Sequence, residues 1–277
     1  MIRYGVIALA TALASTGSAL AQSALERGTY LMASIVACGN CHTPQTPNGP
    51  APGMELAGGT RFDEGFGTVF VPNITPDVET GIGKWTDAQI TAAIRDGKRP
   101  DGTIIGPPMP IALYRGMSDE DVTAIIAYLR SVKPVANKVA KSAYKVPLPR
   151  TYGPPVTTVA SVSKAEKVAY GAYLAGPAGH CIECHSTPGP NGTPDFVGKT
   201  GAGGLSFNGP WGTSYAANIT PNGIGTWSDA DIKRAITTGV RPDGVHLKPP
   251  MAFAYYKNIA ADDLDAIVVY LRTLKPM

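Results

Sequence analysis

The pentapeptide C-x-x-C-H occurs twice, as Cys38-Gly39-Asn40-Cys41-His42 and as Cys181-Ile182-Glu183-Cys184-His185. Two thiols three residues apart can bond the two vinyl groups of one haem, and the adjoining histidine sets its imidazole beneath the iron. These stretches use all 4 cysteines of the chain, leaving none for a disulfide, a Cys-rich zinc site or a catalytic thiol. The first expectation is two covalently bound haem c groups. Cys38 and Cys41 hold one and Cys181 and Cys184 the other, with His42 and His185 as axial ligands.

The surroundings of the two motifs also repeat. Gly28-Thr29-Tyr30-Leu31 precedes the first and Gly171-Ala172-Tyr173-Leu174 the second, each tyrosine 8 residues before its first cysteine. Asn73-Ile74-Thr75-Pro76 matches Asn218-Ile219-Thr220-Pro221, and Gly81-Ile82-Gly83-Lys84-Trp85 matches Gly223-Ile224-Gly225-Thr226-Trp227. Arg99-Pro100-Asp101-Gly102, Pro107-Pro108-Met109, Tyr128-Leu129-Arg130 and Lys133-Pro134 all recur 142 residues later. A repeat of this length is one folding unit used twice.

Three helical patterns are expected in each copy. The first leads into the cysteines, with capping-box pairs at Ser23/Glu26 and Ser163/Glu166. The second follows the tryptophan: Thr86 and Gln89 start it, Ile90 and Ile94 share a face, and Gly97 stops it; its counterpart runs from Ser228 to Gly239. The third is the clearest. Val122, Ile125, Ile126 and Leu129 fall at i, i+3, i+4 and i+7, and Leu264, Ile267, Val268 and Leu271 repeat that face. Ser118 caps the first of these with Asp121, whereas Asp262 and Asp263 suit the start of the second by helix dipole. Gly/Pro-rich segments, notably 43–59 and 187–204, separate the helices. The expected fold is therefore all-α, two tandem domains of about three main helices each around a covalently bound haem, with long Gly/Pro-rich loops.

The ends and the middle of the chain complete this organisation. Residues 1–21 read as a secretory signal peptide, with Arg3, an apolar run over 6–14 and the small-residue site Ala19-Leu20-Ala21. Domain 1 is expected over 22–133, a basic Pro-rich linker over 134–160, and domain 2 over 161–277. The linker carries Lys138, Lys141, Lys145 and Arg150 among its prolines. It reads either as a solvated connection or as a docking strip for an acidic partner. No segment after the leader is apolar for long enough to span a bilayer, so no transmembrane anchor is expected after cleavage. A formal charge of +3 without a dense basic cluster excludes a nucleic-acid partner.

The second axial ligand of each iron is found by elimination. The chain has 4 histidines, His42, His180, His185 and His246, so the first copy has no spare one. Its methionines after the leader are Met32, Met54, Met109 and Met117. Only Met109 has a methionine counterpart, Met251, and both follow Pro-Pro. Prolines stiffen such a turn, and Met/His ligation is the usual arrangement in cytochromes c. Met109 and Met251 are the expected ligands; the alternatives are a loop methionine with no metal role and, in the second copy, ligation by His246. His180 is expected at the surface or on the propionate side. Trp85 and Trp227 either bond a propionate or pack at a helix start, and Arg99 and Arg241 either neutralise propionates or stand in solvated turns. Asn73 and Asn218 are expected to fix their loops by side-chain bonds to backbone.

G-x-Y-L before C-x-x-C-H, N-I-T-P with G-I-G-x-W, and P-P-M before a helix ending Y-L-R cover nearly all of the chain after the leader, twice. In these motifs the chain resembles the class I c-type cytochrome subunits of bacterial periplasmic alcohol, aldehyde and gluconate dehydrogenases. The resemblance implies electron transfer from a periplasmic dehydrogenase to a cytochrome, an oxidase or a quinone-linked acceptor. It also implies residence in the periplasm, peripheral to the inner membrane through a partner. Those subunits commonly carry three haem domains, whereas two are expected here. A thioether ligand raises the reduction potential, and two protein ligands leave no open position on the iron, so relay rather than substrate turnover is expected. The alternative is a dihaem redox enzyme such as a peroxidase, in which one iron opens a position.

Overall fold

The computed structural model describes residues 22–47, 49–190, 192–209 and 211–277; the expected leader over 1–21 lies outside them. Two helix crossings organise the protein. Helix α1 (Ala24–Ala33) packs on α5 (Asp119–Ser131), and α6 (Lys167–Tyr173) packs on α11 (Ala261–Thr273). At each crossing a glycine lets the backbones meet. A Cβ on Gly28 would lie 2.0 Å from Ala124 O, and one on Gly171 would lie 1.9 Å from Ala266 O. The leucine three residues on, Leu31 or Leu174, is fully buried against the partner's apolar face.

The remaining α-helices are four to ten residues long. In the first half they are α2 (Gly39–His42), α3 (Asp87–Arg95) and α4 (Ile111–Tyr114). In the second they are α7 (Cys181–His185), α8 (Pro221–Ile224), α9 (Asp229–Thr238) and α10 (Phe253–Tyr256). Ser23 with Glu26, Thr86 with Gln89 and Ser228 with Asp231 form capping boxes, and Ser118 Oγ accepts from the Asp121 amide. The box expected at Ser163 and Glu166 does not form. Ser163 is instead spent on a turn, receiving the Ala165 and Glu166 amides, and α6 begins at Lys167. A single π turn (Leu174–Ala178) then carries the chain toward the second motif.

The all-α expectation is corrected. Among the described residues there are seven short strands in three small antiparallel sheets. Strands β1 (Gln45–Thr46) and β2 (Gly49–Pro50) pair with each other. Strands β3 (Arg61–Glu64), β4 (Gly67–Phe70) and β5 (Ala143–Tyr144) form a sheet with β4 in the centre, and β6 (Ser206–Gly209) pairs with β7 (Gly212–Tyr215). Strands of two to four residues are too short for an alternating pattern to register against helical periodicity. The hairpins depend instead on turn glycines such as Gly67 (φ 133°) and Gly212 (φ 83°).

Residues 134–160 contain no helix and only the short β5. They lie on the first half. Ser142 Oγ receives the Phe70 amide, the Lys145 amide donates to Phe66 O, and Tyr152 Oη donates to Ile105 O at 2.8 Å. Leu148 and Tyr144 cover Gly106 so closely that a Cβ there would lie 2.5 Å from Leu148.

Candidate haem-binding sites

Both C-x-x-C-H motifs fold as single helical turns, α2 and α7, at the junction of the two halves. A Cβ on Gly39 would lie 2.3 Å from Tyr255 Oη of the second half. His180, which precedes Cys181, stands edge-on to Tyr114 of the first half with ring centroids 5.9 Å apart. His180 adopts a left-handed conformation (φ 41°) and is partly buried between the halves rather than at the open surface. Burial pushes the Glu183 carboxyl up to about 8; burial first, and the Glu183 carboxylate second, raise both Cys41 and Cys184. The second thiols of the two motifs thus share one electrostatic environment.

The two histidines are held alike. His42 Nδ1 lies 2.8 Å from Pro72 O and His185 Nδ1 lies 2.7 Å from Ala217 O. Burial depresses both imidazoles, His42 to about 4, while the carbonyl contact opposes the shift. A neutral ring donating from Nδ1 keeps the Nε2 lone pair free for a metal, which is how protein-bound haem ligands are oriented.

Cys38, Cys41, His42 and Met109 line the same cavity of about 880 Å³ as Cys181, Cys184, His185 and Met251. Its walls are largely aliphatic, with Ile35, Ile90, Leu129, Ile232 and Leu271 among them. Burial raises all four thiols, Cys38 and Cys184 to about 12 and Cys41 and Cys181 to about 11. None is therefore a reactive thiolate at neutral pH. Paired thiols, an oriented neutral imidazole, a thioether and an apolar wall fit covalently bound haem c.

The repeated motifs meet around this cavity. Each P-P-M turn has its Pro-Pro bond in the cis form. Trp85 and Trp227 line the cavity from the G-I-G-x-W loops. The arginine of Y-L-R clamps each loop from behind. Arg130 bonds Asp87 Oδ1 at 2.9 Å and the Trp85 carbonyl, and Arg272 bonds Asp229 Oδ1 at 2.9 Å and Trp227 O at 2.5 Å. Asn73 Oδ1 receives the Thr75 amide while its Nδ2 donates to Val135 O; Asn218 does the same with Thr220 and Met277 O. The asparagines thus have the loop-fixing role expected of them, and each also anchors the residue after Lys-Pro. Arg99, His246 and Arg241 also face the cavity, Arg99 bonding Ile104 O in its own turn and Arg241 pairing with Asp243.

Comparison with known proteins agrees with this chemistry. The cytochrome c family pattern matches residues 25–133. The chain is 30% identical over 247 residues to a dihaem c-type cytochrome of Cereibacter sphaeroides, covering 85% of this chain and 81% of that protein. The chain belongs to the cytochrome c family. This cytochrome is also 33% identical to the cytochrome c subunit of the quinone-dependent alcohol dehydrogenase of Gluconobacter oxydans, over 94% of its own length and 57% of the relative's. It is 32% identical to the fructose dehydrogenase cytochrome subunit of Gluconobacter japonicus, over 90% of its own length and 52% of the relative's. The cytochrome therefore spans little more than half the length of these two subunits. No described helix is long and apolar enough to cross a membrane.

Two features of the site escaped sequence reasoning. The placement of α2 and α7 at the junction of the halves and the partial burial of His180 and Glu183 there depend on how the copies meet. A single motif carries no trace of that contact.

Proposed function

We propose that this chain is an exported dihaem cytochrome c that takes electrons from a partner dehydrogenase and passes them to a downstream cytochrome, oxidase or quinone-linked acceptor. Residues 22–133 and 161–277 form its two haem domains, joined by 134–160, and residues 1–21 direct it to the periplasm. His42 with Met109 and His185 with Met251 are the axial pairs. The observation that carries the reading is the matched pair of oriented histidines, which line one continuous cavity with two pairs of partly buried thiols and two Pro-Pro-Met turns. The names of the relatives, dehydrogenase cytochrome subunits among them, support the choice of donor.

Bound haem c supplies reversible one-electron chemistry. The chain's own residues do the rest. Pro72 O and Ala217 O hold the imidazoles in the donor tautomer and raise their basicity. The prolines before Met109 and Met251 restrict the turns that present the thioethers. The aliphatic walls exclude water, which favours the less charged form of the centre. The shared position of α2 and α7 shortens the path between the two sites.

Mass measurement of the mature protein should count two haems. Met109→Ala and Met251→Ala should each remove part of the methionine–iron charge-transfer band of the oxidised protein, and the double variant should lose all of it. One haem, or an unchanged band in both variants, would refute the assignment. Fractionation of the full-length protein tests export. Reduction by a co-purified dehydrogenase, on addition of that enzyme's substrate, tests the donor.

A further inference from the structure

The segment between the halves is a wall of the first site. Asn137 Nδ2 donates to Ala57 O at 2.9 Å, and the Asn137 amide donates to Thr80 Oγ1 at 2.9 Å. Ser142 Oγ receives the Phe70 amide at 3.0 Å, and β5 pairs Ala143 with Thr68 and Tyr144 with Gly67. Ser142 and Tyr144 line the same cavity as Met109 and Arg99.

These tethers decide which way the remaining side chains face. Neighbouring side chains of an extended strand point to opposite faces. Asn137, Val139, Ser142 and Tyr144 are half-buried, whereas Lys138, Lys141, Ala143 and Lys145 are exposed. Lys133 and Arg150, toward either end of the segment, are exposed as well. Among the described residues none of these five cations forms an ion pair. Asp63, on the neighbouring hairpin, is paired with Arg61 of its own strand.

Charge is also segregated along the chain. Residues 122–165 carry 7 lysines and arginines and no aspartate or glutamate, so the rest of a chain with a formal charge of +3 is net acidic. A connection that only spans the halves needs no such row, and like charges held in a row repel one another. An acidic surface relieves that repulsion. Val146, 40% exposed beside Lys145, adds an apolar contact within the charged rim. The tethered backbone has little freedom left to lose on docking.

We propose that the outer face of residues 138–150 docks an acidic patch on the redox partner, and that the first haem site, on the inner face of the same strand, is the port through which electrons cross. That the occupant is a redox partner rests on the electron-transfer reading above; charge-selective binding to this face does not, and is measured separately.

Reduced holoprotein labelled with nitrogen-15 is titrated with an octaglutamate and an octalysine peptide at ionic strengths of about 0.01 M and about 0.15 M. Octaglutamate should shift the amides of 138–146 and of Arg150, and octalysine should not. The higher salt should weaken octaglutamate binding at least tenfold. The ring current of a reduced haem sets an axial methionine methyl apart from all other signals. The methyl of Met109, assigned with Met109→Ala, should move on binding, and that of Met251 should stay. Lys138→Glu/Lys141→Glu/Lys145→Glu should weaken binding at least tenfold. Lys167→Glu/Lys199→Glu/Lys257→Glu, which changes the net charge equally, should weaken it less than threefold. Equal binding of the two peptides, shifts confined to another surface, movement of the Met251 methyl alone, or equal losses in the two triple variants would overturn the proposal. Selective binding at 138–150 without an axial methionine signal from either site would instead fault the electron-transfer reading.

Discussion

Tyr30 in α1 donates its phenolic proton to Asp263 Oδ2 at 2.7 Å, tying the first half of the chain to the first turn of the last helix. The mirror contact runs the other way: Tyr173 Oη donates to Asp121 Oδ2 at 2.5 Å. Each tyrosine also receives a backbone amide of the opposite half, Ala260 N at 3.1 Å for Tyr30 and Ser118 N at 3.3 Å for Tyr173. The tyrosine of G-x-Y-L is therefore a joint between the halves, held eight residues ahead of each haem motif.

The two joints are not equally supported. Asp121 also takes two bonds from Arg27, at 2.8 and 3.0 Å, whereas among the described residues Asp263 has, beside Tyr30, only Lys164 at 3.5 Å, and its Oδ1 makes no hydrogen bond. Tyr30→Phe should therefore cost about 1–3 kcal/mol, since it leaves a buried carboxylate short of a donor. Tyr173→Phe should cost less, because Arg27 remains. Denaturant unfolding of the two holoprotein variants checks the order, and equal or negligible losses would contradict it.

Arg27 is the cation that Asp121 needs. The pair is nearly dry, with side chains 11% and 4% exposed. Arg27→Met keeps the apolar stem and removes the charge, which should cost about 3–5 kcal/mol by stranding a buried carboxylate. Tyr170 occupies the matching position of the second half with its hydroxyl unpartnered. Tyr170→Phe should accordingly leave the unfolding midpoint close to that of the wild type.

The glycines of G-x-Y-L cannot carry a side chain. Gly28→Ala and Gly171→Ala each drive a methyl group to within about 2 Å of a helix carbonyl. Each should cost about 3 kcal/mol or more, because a packed helix crossing yields only by moving apart. Gly65→Ala, where a Cβ would meet nothing within 4 Å and the backbone is outside the left-handed region, serves as a control that keeps the crossings intact. A melting temperature for Gly28→Ala equal to that of the control would refute the close crossing.

The joints also predict an alkaline limit. Burial first, and the bonded carboxylates next, push the Tyr30 and Tyr173 hydroxyls well above the usual phenol range. Tyr170 is pushed up to about 12 by burial and then by Asp263. A folded-state value raised above the unfolded value of about 10 contributes stability that is complete below that pH and is lost as the pH rises through the folded value. The denaturant midpoint should hold to about pH 10 and fall beyond it. The fall should be shallower in the Tyr30→Phe/Tyr173→Phe double variant, and equal slopes would count against the buried tyrosines as its cause.

Much of this could be read from residues alone, for reasons that are local. The thiols and imidazole of C-x-x-C-H act on one small group within one helical turn. Capping boxes at Ser23, Thr86 and Ser228 are bonds between residues three apart. The apolar stripe of α5 needs only helical periodicity. Repetition then singled out Met109 and Met251, and both line the cavity beside their histidines. The failures are also physical. Ser163 and Glu166 match the capping pattern, but the chain turns there before it coils, and the short strands carry too few residues to show a period.

The sequence by itself determined that paired thiols with an adjoining histidine, and a Pro-Pro-Met turn, each occur twice in this cytochrome, because each of these features lies within a few consecutive residues. Only the tertiary structure decided that α2 and α7 stand at the junction of the halves, that Tyr30 and Tyr173 bond the opposite half, and that residues 141–152 lie over the loop leading to Met109. Those outcomes depend on contacts between residues up to 233 positions apart, whose partners are chosen by packing and charge after each unit has formed.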